Sequence, residues 1–221
     1  MKILAIDTSS EVCSVALLEN DKKIDENRIE NGKTHSENLM SLLDELLTRN
    51  NINLNSIDLF ACSVGPGSFT GIRIGISSIK PMAEILNIPV ASVTSLETLA
   101  KNVDDADIIV SLIDARNSQV YAGIFDINYN KLEEYIADDI NVVIEKISNY
   151  KNITFVGSGA ILHKELLKNR IKGAKFINNN TQSAVNVGII AYKKYLEKDL
   201  YNADTLLPIY LRKSQAERLK K

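Results

Sequence analysis

The sequence predicts an α/β protein of two similar lobes, each running strand, strand, strand, helix, strand, helix. Three observations predict it. Apolar, β-branched runs of strand length alternate with stretches of helical spacing. The same order of elements occurs twice, with little residue identity between the two occurrences. Between them lies a polar stretch, residues 102–107, that carries three aspartates and is the best linker in the chain. The predicted lobes are therefore residues 1–103 and 104–221.

The elements follow in order. Residues 3–7, 12–18 and 22–30 are apolar or alternating and are joined by short turns at Ser9-Ser10 and Asn20-Asp21, which gives a three-stranded meander. From Thr34 the spacing becomes helical, with Leu39, Leu42, Leu43, Leu46 and Leu47 on one broad face. Thr34 or Ser36 caps its start and Asn50-Asn51 ends it. A strand at 57–64, a glycine-rich turn and a helix at 71–86 follow, and Asn87-Ile88-Pro89 stops that helix. A strand at 90–93 and a helix at 95–101 complete the first lobe. The second repeats the order: strands at 108–114, 119–127 and 131–137, a helix at 142–148, a strand at 153–156, then helices at 160–168 and 184–198.

Composition bounds the function. The 221 residues are 45% hydrophobic and 24% charged, with a net charge of −2, which excludes extended disorder, collagen and coiled coil. That balance is not the footprint of an autonomous nucleic-acid binder, although a local basic patch remains open. Cys13 and Cys62 sit in apolar segments outside any metal or C-x-x-C spacing and read as small core residues. Asp7 interrupts the first apolar run too early for a secretory signal, and no stretch reaches the ~20 apolar residues of a membrane span. The expectation is a cytoplasmic protein with no membrane partner.

A duplicated βββαβα order resembles the actin-like ATPase (ASKHA) superfamily, which includes sugar kinases and the actin and Hsp70 ATPase domains. In Ile3 to Ser10 a buried strand delivers Asp7 to a tight turn, where a carboxylate can orient a metal-bound phosphate or simply cap the turn. The superfamily's first phosphate loop resembles Asp-x-Gly-Thr, and here Ser9 stands at the glycine position. A Cβ there obstructs close approach of a phosphate, so the departure points to a weakened or lost nucleotide site. In Ser63 to Gly75 the residues Gly65 and Gly67 flank a proline just after a strand and before a helix. Backbone N–H groups gathered there make either an anion nest or a tight packing turn, and no Walker lysine follows.

The run Gly65-Pro66-Gly67-Ser68-Phe69-Thr70-Gly71, with the opening residues 3–8 and His35-Ser36-Glu37, resembles the TsaB family, formerly YeaZ. Further matches are Ile113 to Arg116 followed by Gln119-Val120-Tyr121, the turn Val156 to Ala160, and Pro208 to Arg212. The resemblance spans essentially the whole chain. It implies a non-catalytic accessory subunit of tRNA threonylcarbamoyladenosine synthesis that works with the catalytic paralogue TsaD and the small ATPase TsaE. Such an assembly transfers a threonylcarbamoyl group, made by a separate enzyme, onto the adenosine next to the anticodon. It also implies a homodimer and a TsaD heterodimer that compete for one surface, tRNA reached only through the complex, and ATP or ADP only within it.

The catalytic paralogue carries a His-x-x-x-His metal pair on its first helix. Here His35 matches the first ligand and Leu39 stands at the second, so no metal is expected. The proposed partner face lies on the two helices of the first lobe: His35, Leu39, Met40 and Leu43 on the first, and Gly71, Ile72, Gly75, Ile79 and Met82 on the second. Their apolar spread is wider than one core-facing stripe requires. A vestigial nucleotide cleft would comprise Asp7, Gly65 and Gly67 with Asp114, Arg116, Gly157 and Gly159 of the second lobe. Asp114 and Arg116 read first as a self-paired turn. The alternative from another class is a weak ATPase or kinase using Asp7 and the Gly157 turn. The basic tail from Arg212 to Lys221 is either solvated or a contact for tRNA phosphates within a complex.

Overall fold

A computed structural model of the chain describes residues 1–30 and 34–212. The first half forms β1 (Lys2–Asp7), β2 (Cys13–Glu19), β3 (Lys22–Ile29), α1 (His35–Arg49), β4 (Leu59–Ser63), α2 (Phe69–Leu86), β5 (Val90–Val93) and α3 (Ser95–Ala100). The second forms β6 (Ile108–Asp114), β7 (Gln119–Asp126), β8 (Ile136–Asp139), α4 (Ile140–Ile147), β9 (Ile153–Val156), α5 (Ser158–Leu162), α6 (Lys164–Arg170), β10 (Lys175–Phe176) and α7 (Ala184–Leu196).

Two sheets result, ordered β3-β2-β1-β4-β5 and β8-β7-β6-β9-β10. In each, the first three strands pair antiparallel and the last two add parallel to the first. The duplication predicted from element order thus holds, and β10 extends it to a fifth strand in the second sheet.

The alternation of side chains in the first sheet sorts its two faces. Leu4, Ile6, Val15, Leu17, Phe60 and Cys62 face one way and pack with Leu39, Leu43 and Leu46 of α1 and Ile72, Ile76 and Ile79 of α2. Ile3, Ala5, Ala16, Leu18, Leu59 and Ala61 face the other way and pack with Ala184, Val187 and Ala191 of α7. Burying each large aliphatic side chain contributes about 1.5–3 kcal/mol. A capping box between Thr34 and Glu37 opens α1, and the left-handed Asn87 (φ 52°) ends α2. In the second sheet one face packs Val110, Leu112, Val120, Ala122 and Phe155 against Val143, Ile144 and Ile147 of α4 and Ala160 and Leu167 of α5 and α6.

Several expectations shift. Ser68 accepts the Gly71 N–H as a cap, so α2 begins at Phe69 rather than at 71. The strand predicted at 131–137 occupies 136–139, because only Lys131 bridges to Phe125 before it. The helix expected at 160–168 breaks at His163, and β10 was not foreseen. The largest difference concerns the lobes. The compact units are Met1–Thr98 with Gln182–Ile209, and Leu99–Thr181 with the segment from Tyr210. A contiguous division at 103/104 places α7 in the second lobe, whereas it lies on the first sheet. The reason is its stripe of small residues, Ala184, Gly188 and Ala191, which lets the helix settle closely onto β1 and β2, with Gly188 against Leu18. Among the described residues no helix is long and apolar enough to cross a membrane.

Candidate functional site

The turn after β1 is where the superfamily resemblance would place phosphate chemistry. Asp7 is 1% exposed. Its Oδ1 accepts the Ser9 backbone N–H at 2.9 Å and the Ser9 hydroxyl at 2.7 Å, while its Oδ2 has no hydrogen-bond partner. Burial pushes the carboxyl up to about 6, only partly offset by the Ser9 hydrogen bonds, the nearby Ser63 hydroxyl and the His35 imidazole. The buried Asp7 charge in turn adds to the burial that raises the Cys13 thiol to about 11 and the Cys62 thiol further still. Both cysteines are free and buried, as the sequence suggests.

The glycine-rich loop closes onto this turn. The Ser9 carbonyl accepts the Ser68 N–H at 2.8 Å, and the Thr8 hydroxyl donates to the Gly71 carbonyl at 2.8 Å. Gly67 lies against the Ser9 carbonyl. A Cβ at Gly71 would collide with the Thr8 carbonyl, and one at Gly75 would crowd the Thr8 hydroxyl. Of the N–H groups that would form an anion nest, those of Ser68 and Gly71 are already engaged within the protein. Of the two readings open from sequence, the geometry is that of a packing turn. Gly65, with φ +102°, begins the loop.

His35 belongs to the same cluster. Its Nε2 donates to the Ser10 carbonyl at 2.7 Å, which ties the start of α1 to the turn after β1. Leu39, at the second metal-ligand position, is 1% exposed in the core. No three His, Cys, Asp or Glu side chains gather as a metal-binding group among the described residues.

The partner face is corrected by burial. Leu39, Leu43, Gly71, Ile72, Gly75 and Ile79 all lie inside the first unit. The broad apolar spread of α1 and α2 is used to reach the sheet and each other, so these six residues cannot meet another chain without unfolding this one. His35 and Met82 are half-buried, and Met40 alone of the nine is exposed, at 54%. The outer surface of the two helices instead offers Met40 on α1, Phe69 at the start of α2 and the 81% exposed Ile85 near its end, with the half-buried Ile74 and Met82 on the same side of α2 as Ile85. The Arg73 guanidinium lies 3.9 Å from the Phe69 ring centroid.

In the second unit, Asp114 occupies the end of β6 as Asp7 does that of β1, and its Oδ1 accepts the Arg116 backbone N–H at 2.8 Å. The pair does close its own turn, but through the Arg116 N–H. Arg116, Asn117 and Ser118 are consecutively left-handed, with φ of 66°, 54° and 60°. Gly157 begins the turn after β9 with φ +105°, matching Gly65 after β4, and its N–H donates to Asn180. The Ser158 hydroxyl accepts the Asp114 N–H, and a Cβ at Gly159 would crowd Leu112. The duplication therefore extends to the Asp turn and the left-handed glycine of each unit. Of the basic tail, residues 213–221 lie outside the described residues.

Comparison with known proteins decides the family. The family model described as "TsaD: tRNA N6-adenosine threonylcarbamoyltransferase" matches residues 27–220. A tRNA threonylcarbamoyladenosine biosynthesis protein TsaB from Bacillus subtilis is 33% identical over 98% of this chain and 96% of its own length. The chain belongs to the TsaB (YeaZ) family. The solved structure of YeaZ from Pseudomonas aeruginosa, 25% identical, superposes with a TM-score of 0.81 over 95% of this chain and 99% of that one. An activator of 2-hydroxyisocaproyl-CoA dehydratase from Clostridium difficile, solved with bound ADPNP, is only 11% identical but reaches a TM-score of 0.55 over 95% of this chain. It shares the fold alone, and the fold is the actin-like one.

Reading the sequence of this TsaB-family chain missed the closure of the phosphate turn. The signal was present in Ser9 and Ser68, two small hydroxyl residues placed where one caps the carboxylate and the other caps α2. It also missed Phe69 and Ile85. Ile85 breaks the pattern of the inward stripe Ile72, Ile76, Ile79 and Ala83, and that offset was readable.

Proposed function

We propose that this TsaB-family chain serves the biosynthesis of threonylcarbamoyladenosine in tRNA as a non-catalytic accessory subunit. It holds a TsaD-type transferase in working arrangement, together with a TsaE-type ATPase, in the cytoplasm. The names of its relatives supply the pathway. The non-catalytic part rests on one observation above others: the strand-end turn is closed by the protein's own groups, with Ser9 donating to Asp7 Oδ1, Ser68 to the Ser9 carbonyl and Thr8 to the Gly71 carbonyl. A nucleotide phosphate approaching Asp7 would have to displace those hydrogen bonds, each worth about 1 kcal/mol and more when a buried group is stranded.

The outer surface of α1 and α2, around Met40, Met82 and Ile85, is the contact for the transferase and, in its absence, for a second copy of this chain. The two assemblies exclude each other because they use the same helices. Exposed apolar residues on adjacent helices suit completion of a bundle by another chain. ATP or ADP enters only within the complex, and tRNA is engaged there.

A second reading, a weak ATPase or kinase, draws on the unpartnered Oδ2 of Asp7 and its raised pKa. Calorimetric titration of the isolated chain with Mg-ATP separates the two. The accessory reading expects no binding in the micromolar range. Micromolar affinity with turnover lost in Asp7→Ala would replace it with the enzymatic one.

A further inference from the structure

The net charge of −2 conceals a strong segregation inside the second unit. Residues 102–145 hold ten acidic side chains against two basic ones, a net charge of −8. Residues 146–175 hold seven Lys or Arg against Glu165 alone, a net charge of +6. The sheet order converts this sequence asymmetry into a spatial one. The acidic residues include Asp138 and Asp139 on β8, one edge strand, whereas the basic run surrounds β9 and β10 at the other edge.

The topology gathers these cations further. β9 and β10 are parallel, with Lys175 beside Thr154. Lys151 and Lys172 each stand three residues ahead of that paired position, so they emerge at the same end. The helices α4 and α6 feed those two strands, and they deliver Lys146, Lys168 and Arg170 in their last turns to that end as well. At the start of α6, the Lys164 ammonium lies 5.5 Å from the Phe176 ring centroid, and that ring stacks on Phe155 at 5.4 Å, which seats β10 under α6. All seven basic side chains are exposed, and among the described residues only Lys168 has an ion pair, with the exposed Glu165. Two acidic neighbours temper the edge: the exposed Glu145 directly precedes Lys146 in the last turn of α4, and Asp107, which accepts from Asn152, stands at the start of β6, inward of the edge.

Helix dipoles account for basic residues in the last turns of α4 and α6, but not for Lys151, Lys172 and Lys175. We infer that this β9, β10 and α6 edge is a contact for the phosphate backbone of RNA. Its composition favours a polyanion over a protein partner: six of the seven cations are lysine, a residue depleted in protein interfaces and suited to phosphate contacts as a point charge. The inference rests on the proposed place of the chain in an assembly that works on tRNA, and it gives this subunit a direct electrostatic share in holding that substrate. The acidic β8 edge would repel the same backbone and so fix which side of the unit meets it.

The test is a triple variant, Lys168→Gln, Lys172→Gln and Lys175→Gln, in the full chain assembled with the TsaD-type subunit. Affinity for an unmodified tRNA transcript is read by fluorescence anisotropy between 50 and 200 mM salt, and assembly by light scattering. Three lost phosphate contacts predict a loss of roughly tenfold near 100 mM salt and a log–log salt slope shallower by about 2, with assembly unchanged. Unchanged affinity and slope would overturn the inference. Loss of assembly would overturn it too, by making the edge a protein contact. Should the unaltered chain fail to associate with the transferase, the accessory-subunit reading fails separately. The same salt series on the isolated full chain, unaltered and triply substituted, then decides the edge by the same change in slope.

Discussion

Replacing Asp7 by Asn removes a buried charge while keeping the shape of the turn after β1. A carboxyl held at about 6 instead of its ordinary 3.8 costs about 3 kcal/mol once ionised, at 1.36 kcal/mol per pH unit. The folded-state value lies above the unfolded one. The favourable contribution of the protonated group is therefore complete below about pH 4, fades as pH rises to about 6, and is gone above it. The asparagine Oδ1 can still accept the Ser9 N–H and hydroxyl, and its amide nitrogen takes the place of an oxygen that had no partner. An unpaired amide retains some desolvation cost, about 1 kcal/mol. The expected gain at pH 8 is thus about 2–3 kcal/mol, measured by urea unfolding of the full chain followed by circular dichroism. Near pH 4 the variant and the unaltered protein should differ by no more than about 0.5 kcal/mol. Equal or lower stability of Asp7→Asn at pH 8, or the same gap at both pH values, would refute a buried, energetically costly carboxylate at this turn.

Further outcomes follow from the same packing. Gly71→Ala drives a Cβ into the Thr8 carbonyl and should lower stability by about 1–3 kcal/mol or more in the same urea assay. Gly157→Ala, at φ +105° and against the Leu112 carbonyl, should cost at least as much, seen as earlier unfolding of the second unit by hydrogen exchange. Met40→Asp combined with Ile85→Asp alters exposed positions and should abolish association with a TsaD-type subunit in light scattering while leaving circular dichroism intact. Leu39→Asp, buried in the core, should instead unfold the first unit, because an unpaired charge in an apolar core costs several kcal/mol.

Much of the fold was legible because the long central strands announced themselves, unlike the two-residue β10 and the displaced β8. The residues of β1 and β2 are apolar in nearly unbroken runs, as strands covered on both faces must be, and Thr34, Asn87 and the Asn102–Asp107 break marked ends that the chain does use. What sequence cannot carry is the destination of a helix. The small-residue stripe of α7 says that it packs closely, not that it returns to the first sheet, and so the contiguous division of lobes failed there. The same limit governed the partner face. Leu39, Leu43, Ile72 and Ile79 read equally well as core or interface until the sheet beneath them is in place. The family motif around Gly65 to Gly71 was legible as a motif, but its role as packing against Thr8 and Ser9 emerges only when two segments some 60 residues apart meet. Whole-chain charge misled in the same way, since an acidic half and a basic half of the second unit cancel in the sum.

The accessory role is tested most directly by reconstituting tRNA threonylcarbamoylation with purified components: this chain without the TsaD-type transferase, the transferase without this chain, and the two together, each with the TsaE-type ATPase and the threonylcarbamoyl donor supplied. The account predicts modified tRNA only from the mixture, and modification retained when Asp7→Asn replaces the unaltered chain. Modification by this chain without the transferase, or abolished by Asp7→Asn while the complex still assembles, would contradict it.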